Sequence, residues 1–529
     1  MLGILGKRTK KIRECFKDKE NLLFALWFVW MAVYYGFRLF ALTPWYDELY
    51  TYYYFISRGP VYAAIHWPLP NNHVGYSVLS GILDLFGNPY IGLRGISYLC
   101  ALANLVFLYR MGRRCLHRWW SFCCVVLYSG MNLVNQLAVQ GRGYTLAAFC
   151  FLLALSMLER IGFGTGEDTE ADVKYYAVFS LALTLGLYVL PSSVYWVLPV
   201  CITGGLFLLL YRKKKKLLHL IAASAVAAVN ALVLYALIWL AIGSNLLSKA
   251  EGGAYFGQGH ISIILSAPFL SVKEGMDYML ATPYIQSVAR EGYASEFAAW
   301  LCSLFDYFYT GSAFYLGMAV YVCSMGMAVY GVLAYRKGKK EQVFLSLCTV
   351  GILTLTPILL AVSCKLPYFR VFSYLGIPLA LLFAAFLQEA VAYPCKRMGE
   401  AAGYAHVALS LVFTFLAVVL LLSKDYNGEY GRTEFYARDA LTHAQAGEGA
   451  TLCVTDCYQQ YLLKFLYGVE CENTQVEGAD VLLLHHEMET PGEETFRWEF
   501  YHGYGTLPWD YIRGMTPVYE NKEYTVYVK

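Results

Sequence analysis

The chain has 529 residues, 58% of them hydrophobic and 15% charged, with a mean hydropathy of +0.45. A soluble chain of this size cannot bury that much apolar surface, so lipid is the solvent for most of it. The formal net charge of +3 leaves no nucleic-acid footprint, because the basic residues fall in short clusters between apolar runs.

In chain order, Lys7, Arg8, Lys10, Lys11 and Arg13 precede the first apolar run, and no small-residue cleavage site follows. This start reads as a retained signal anchor. Runs long enough to cross a bilayer at ~20 residues each predict about eleven transmembrane helices: near 21–42, 91–109, 119–139, 143–158, 175–190, 192–211, 217–242, 312–335, 342–363, 371–393 and 403–423. The N-terminal basic cluster, Arg110 to Arg118, Arg212 to Lys216, Arg336 to Lys340, and Lys396 with Arg397 then all lie on one side, which the positive-inside rule makes cytoplasmic. Loops 43–90 and 243–311, a turn near Gly141, another at Pro191, the link 364–370 and everything after 424 are expected outside. Segment 73–87 is apolar but short for a span, and reads as a juxtamembrane or re-entrant helix.

From about 424 the composition turns polar. Thr451 to Thr455, Ala479 to His485 and Tyr524 to Val528 read as strands, and Tyr458 to Leu466 as a helix. The expected domains are a membrane domain over 1–423 and a small extracytoplasmic α/β domain over 424–529. Most of the 15 cysteines, such as Cys123, Cys124 and Cys150, lie in apolar runs without metal-ligand spacing and read as small core residues. A disulfide among Cys453, Cys457 and Cys471 stays open. Interfacial belts account for most of the 46 Tyr and 11 Trp, yet 46 is enough for some to line an aqueous cavity where sugar rings or lipid headgroups stack.

Polar residues gather at the expected outer ends. Asp47 and Glu48 stand side by side in Thr43-Pro44-Trp45-Tyr46-Asp47-Glu48-Leu49-Tyr50 just past the first span. They read as catalytic carboxylates or, more plainly, as a helix start in which Asp47 caps and Glu48 faces the macrodipole. A Pro-bounded lip, His66-Trp67-Pro68-Leu69-Pro70-Asn71-Asn72-His73, leads into the short apolar helix. Arg94, Arg142 with Tyr144, Lys365, and Arg370 after Tyr368 oppose the positive-inside bias. Each cation is either a snorkelling anchor or part of a site.

A carboxylate facing fixed cations at a membrane surface suits sugar transfer from a polyprenyl phosphate. Cations neutralise the charge that develops on the leaving phosphate, so no general acid is needed. The carboxylate takes the proton of an attacking hydroxyl from the opposite face, which inverts the anomeric centre. Arginine suits the phosphate because its fork binds two oxygens and keeps its charge.

In order and sidedness, Asp47-Glu48, the His and Asn-His lip, Arg94 in Leu-Arg-Gly-Ile-Ser, Arg142-Gly-Tyr144, Gly186-Leu-Tyr188, and Tyr368-Phe-Arg370 followed by Pro378 resemble the GT-C superfamily of membrane glycosyltransferases. Within it the chain is similar to protein O-mannosyltransferases and lipid A aminoarabinose transferases, over roughly residues 21–393. The resemblance implies Asp47 as catalytic base with Glu48 in support, and Arg94 and Arg370 on the donor phosphate or head group. His73, Arg142, Tyr144, Lys365 and Tyr368 join them as candidate donor contacts. The mannosyltransferases have His-Pro-Pro in the lip, where this chain separates the His from the prolines, so His66 and His73 both stand as candidates for that role. No cofactor is expected; some members use a divalent metal, and its use here stays open.

The expected activity is therefore that of an inverting, polyprenyl-phosphate-sugar-dependent glycosyltransferase of the EC 2.4 class in the plasma (inner) membrane. Its partners are the lipid-linked sugar, a glycan, lipid or protein acceptor and the bilayer, with no nucleic acid. A lipid-linked-sugar transporter or flippase would place charges at mid-membrane and often show repeated halves. A non-catalytic scaffold would tolerate loss of Asp47.

Overall fold

Backbone N–H and C=O groups in hydrocarbon must be satisfied within the chain, which makes helices of these apolar runs. The computed structural model describes residues 18–66, 72–164, 170–249, 259–281, 288–309, 311, 313–395, 401–422, 434–444, 449–472, 475–489 and 507–529. The N-terminal basic cluster, lip residues Trp67 to Asn71, and Lys396 with Arg397 lie outside them.

Among the described residues eight helices are long and apolar enough to cross a membrane: Lys19–Ala41, Pro89–Cys115, Tyr144–Phe163, Pro191–Leu210, Lys214–Leu247, Ala313–Arg336, Lys340–Ser363 and Phe369–Ala392. Val74–Asp84, Val173–Val189 and Gly403–Val419 are shorter apolar helices. At 1.5 Å per residue the 11-residue Val74–Asp84 extends only about 16 Å, too little to span. The protein is a polytopic α-helical membrane protein with a small C-terminal sheet.

Two sequence readings need correction. The expected span 119–139 is two helices, Arg118–Ser129 and Asn132–Leu137, broken at Gly130 and Met131. The Asn135 side-chain amide donates to the Ser129 carbonyl at 3.1 Å, satisfying an acceptor that the break releases. The expected loop 243–311 holds the helices His260–Ala281 and Tyr293–Phe308, and the preceding helix runs on to Lys249. His260–Ala281 packs backbone to backbone on Lys214–Lys249. A Cβ on Gly275 would stand 2.1 Å from the Trp239 carbonyl oxygen, so only glycine permits this approach.

The chain divides into two units, Met1–Phe40 with Phe55–Tyr426, and Ala41–Tyr54 with Asn427–Lys529. In the second unit four strands stand in the order β1 (Leu452–Val454), β2 (Val481–His485), β4 (Tyr524–Val528), β3 (Thr516–Glu520). β1 runs parallel to β2, and the other pairs are antiparallel. Val481 and Leu483 of β2 pack in one apolar cluster and Leu482 and Leu484 in another, so the strand is a continuous apolar run. Between β1 and β2, helix Cys457–Tyr467 starts on Asp456, whose carboxylate accepts from the Tyr458 N–H at 2.9 Å, and stops at Gly468 with φ +68°. Cys453, Cys457 and Cys471 are free thiols. Burial raises the pKa of Cys453 and of Cys471 to about 12, so neither is a thiolate at neutral pH.

Candidate active site

In the membrane unit, helix Pro89–Cys115 starts on Asn88, whose side chain accepts from the N–H groups of Tyr90 and Ile91 at 3.0 and 3.2 Å. That start fixes Arg94 within the second turn, where it is 0% exposed and donates to the Leu39 carbonyl at 3.0 Å. The Tyr76 hydroxyl donates to the neighbouring Leu93 carbonyl. Ser97 sits between the Tyr76 hydroxyl at 3.1 Å and the carbonyls of Gln140 and Arg142, which ties the Arg94 turn to the Arg142 turn.

His73 precedes the short helix Val74–Asp84 and is buried. Its Nδ1 accepts from the Gly143 N–H at 2.8 Å. The neutral ring then carries its proton on Nε2, which lies 3.2 Å from Nη2 of buried Arg142. Two N–H groups thus present positive edges to one volume, a geometry suited to an anionic oxygen. Tyr144 meets the His73 ring edge-on at 4.9 Å, and the Arg370 guanidinium lies 5.9 Å from the Tyr144 ring centre. Burial first, then the charges of Arg142 and Arg370, hold the His73 pKa well below its ordinary value, so the ring is neutral at pH 7.

His73, Arg142, Tyr144 and Arg370 therefore form one cluster, with Arg94 joined to it through Ser97. Of the two lip histidines, His73 is the one placed there; His66 is half-buried and stacks on Tyr62 at 3.9 Å. Tyr368 is 73% exposed with the Arg370 guanidinium 5.8 Å from its ring centre. The contacts described for Lys365 run through its backbone, which accepts from the Tyr293 hydroxyl. Sequence reasoning missed Arg38, 1% exposed, whose Nη1 donates to the Asn135 side chain at 2.6 Å and to its carbonyl at 2.9 Å. A lone arginine inside an apolar span was the available signal.

In the second unit, Asp47 and Glu48 lie on the six-residue helix Tyr46–Thr51. The expected cap is not at Asp47. Trp45 is the N-cap, and Glu48 reaches back so that its Oε2 accepts from the Trp45 N–H at 2.9 Å. Glu48 is 0% exposed and Asp47 half-buried. Helix Cys457–Tyr467 holds this segment: the Tyr458 hydroxyl donates to the Pro44 carbonyl at 3.0 Å, and the Tyr461 hydroxyl donates to Tyr54 at 3.2 Å while its ring stacks on Tyr53. Part of the tyrosine excess is thus a clamp on the carboxylate segment. Among the described residues no cluster of three or more His, Cys, Asp or Glu gathers that could hold a metal ion.

The fold is that of the GT-C membrane glycosyltransferases. Residues 73–239 match the family dolichyl-phosphate-mannose-protein mannosyltransferase, a stretch that opens on His73 and contains Arg94, Arg142 and Tyr144. The chain is similar to ArnT from Cupriavidus metallidurans bound to undecaprenyl phosphate, at 13% identity and a TM-score of 0.54 over 95% of this chain and 97% of that one. It is also similar to the archaeal oligosaccharyltransferase AglB from Archaeoglobus fulgidus in complex with an inhibitory peptide and a dolichol-phosphate, at 11% identity and a TM-score of 0.50 over 88% and 70% of the two chains. No curated protein matches the sequence.

Proposed function

We propose that the protein is an inverting glycosyltransferase that moves a sugar from a polyprenyl-phosphate donor to a hydroxyl acceptor on the extracytoplasmic face of the plasma membrane. The observation that carries this reading is the cluster of buried Arg142 and neutral His73, with half-buried Arg370 beside Tyr144 and Arg94 tied to it; His73, Arg94 and Arg142 lie inside the stretch that matches a lipid-phosphate-sugar-dependent family. Arg142 and Arg370 neutralise the donor phosphate, and the His73 Nε2–H adds a neutral donor that costs no further charge burial. Asp47 is the general base. It takes the acceptor proton as the acceptor oxygen bonds to the anomeric carbon, while the bond from that carbon to the phosphate oxygen breaks and its electron pair leaves with the phosphate. Glu48 supports Asp47 indirectly, through the cap that orders its helix. The two structural neighbours bound to polyprenyl phosphates support the donor class.

The distribution of positive charge supports the orientation. Arg113 pairs with Glu20, Arg114 with Glu159, Lys216 donates to the Ile161 carbonyl, and Lys340 lies over Tyr211. Three of the basic clusters thereby meet at one end of the membrane unit. Arg94 belongs to the other end of its helix, which the positive-inside rule makes extracytoplasmic.

The test is transfer of radiolabel from a panel of polyprenyl-phosphate sugars to membrane-extract acceptors. Wild-type transfer that the Asp47→Asn and Arg142→Lys variants lack supports the reading. Full transfer by Asp47→Asn ends the assignment of the base.

A further inference from the structure

We propose that a groove at the Glu20 end of the membrane unit is a binding site for an anionic glycerophospholipid, separate from the donor site. A cavity of about 700 Å³ opens between helices Lys19–Ala41, Pro89–Cys115 and Tyr144–Phe163. That size lies within the ~300–1,000 Å³ usual for ligand sites. Its floor is apolar, built by Phe24, Phe28, Val106 and Phe107, and Phe24 is held flat against Tyr109 at 3.9 Å between ring centres. Its rim carries Arg110, Arg113, Arg114 and Arg160, against the single lining carboxylate of Glu159.

The two halves of the lining select the ligand together. Arg114 spends its charge on Glu159 at 2.7 Å, and Arg113 shares Glu20 with Arg118 at 3.0 and 3.2 Å. Arg160 stacks on the Tyr175 ring at 5.6 Å, a contact that orients the guanidinium and leaves its charge in place. The rim therefore stays net positive and attracts a phosphodiester, for which arginine forks are suited. A soluble anion would have no use for the phenylalanine floor, whereas an acyl chain covers it. A zwitterionic headgroup would bring a second cation into a rim that is already positive. The site is distinct from the donor cluster: Arg94 and Arg113 are 19 residues apart on one helix, roughly 28 Å at 1.5 Å per residue.

Native mass spectrometry of the detergent-purified protein with added phosphatidylglycerol or phosphatidylcholine tests the site. One phosphatidylglycerol is expected to bind in preference to phosphatidylcholine. Arg110→Gln with Arg160→Gln should weaken it roughly 30-fold, at about fivefold per arginine, and Val106→Trp should weaken it by filling the floor with no change of charge. Arg336→Gln with Lys337→Gln, exposed basic residues elsewhere, should leave it unchanged. Equal binding of both lipids, unchanged binding in the groove variants, or equal loss in the Arg336 and Lys337 control would each overturn the proposal. Because the readout is lipid retained rather than sugar transferred, the result is independent of the proposed activity.

Discussion

The arginines at the two ends of the membrane unit live in different surroundings. At the Arg94 end, Arg38, Arg94 and Arg142 are 0–3% exposed, and the contacts described for them include backbone carbonyls, an asparagine and a neutral histidine. At the Glu20 end, the side chains of Arg113, Arg114 and Arg118 are 29%, 42% and 52% exposed and pair with glutamates that are 2–3% exposed. Burying a cation is costly, far more so than leaving it in water at a helix end. Solvated arginines at a helix end are affordable anchors and topology signals. The contrast teaches that the presence of a cation at the end of a span does not define a functional one; its burial sets it apart from an anchor.

The largest effect that would sharpen this contrast is expected at Asp47. Its change to Asn should cut transfer by ~10²–10⁴, the usual worth of general-base catalysis, with donor binding kept. Next comes Arg142→Lys, which keeps the charge and loses the fork; initial rates should fall by ~10²–10³. The same change at Arg118 should leave rates within twofold, and equal losses at both sites would break the comparison.

A pH effect follows in size. The folded pKa of His73 lies below the unfolded value of about 6.5. As pH falls through about 6.5 the unfolded chain takes up a proton that the folded protein refuses, so stability declines from there down to the folded pKa. The slope from this group is at most ~1.4 kcal/mol per pH unit. Melting temperatures at pH 8, 7, 6 and 5 should fall more steeply below 6.5 in the wild type than in His73→Gln.

A smaller effect is expected for Tyr461→Phe, which removes the hydroxyl that donates to Tyr54. It should lower stability by about 1 kcal/mol and reduce kcat more than KM, since the clamp orders the Asp47 helix without touching donor. The smallest is Arg118→Ala, because buried Glu20 keeps Arg113 and the Arg118 side chain is itself half in solvent, so the loss should stay within ~1 kcal/mol.

Most of the helical architecture was legible because long apolar runs and basic clusters are direct signals. The break at Gly130 was not, since it depends on Asn135 reaching back to Ser129, a contact that hydropathy does not register. Helix His260–Ala281 escaped because Lys273, Glu274 and Asp277 interrupt its apolar run and Pro268 lies inside it. β3 holds Pro517, which reads against a strand and is tolerated at this exposed sheet edge. In the candidate site, Arg94, Arg142 and Arg370 were readable as charges out of place. The bond from the Trp45 N–H to Glu48 was hidden because the N-cap is Trp45 rather than Ser, Thr, Asp or Asn. The tyrosine clamp joins residues about 400 positions apart, which one sequence cannot reveal.

The central claim is that the buried cations at the Arg94 end hold a polyprenyl phosphate. Its most direct test is equilibrium binding of a polyprenyl-phosphate sugar to the purified protein and to Arg142→Gln, with Arg118→Gln alongside. The account predicts donor binding by wild type and Arg118→Gln and at least a tenfold loss in Arg142→Gln; equal binding by all three proteins would contradict it.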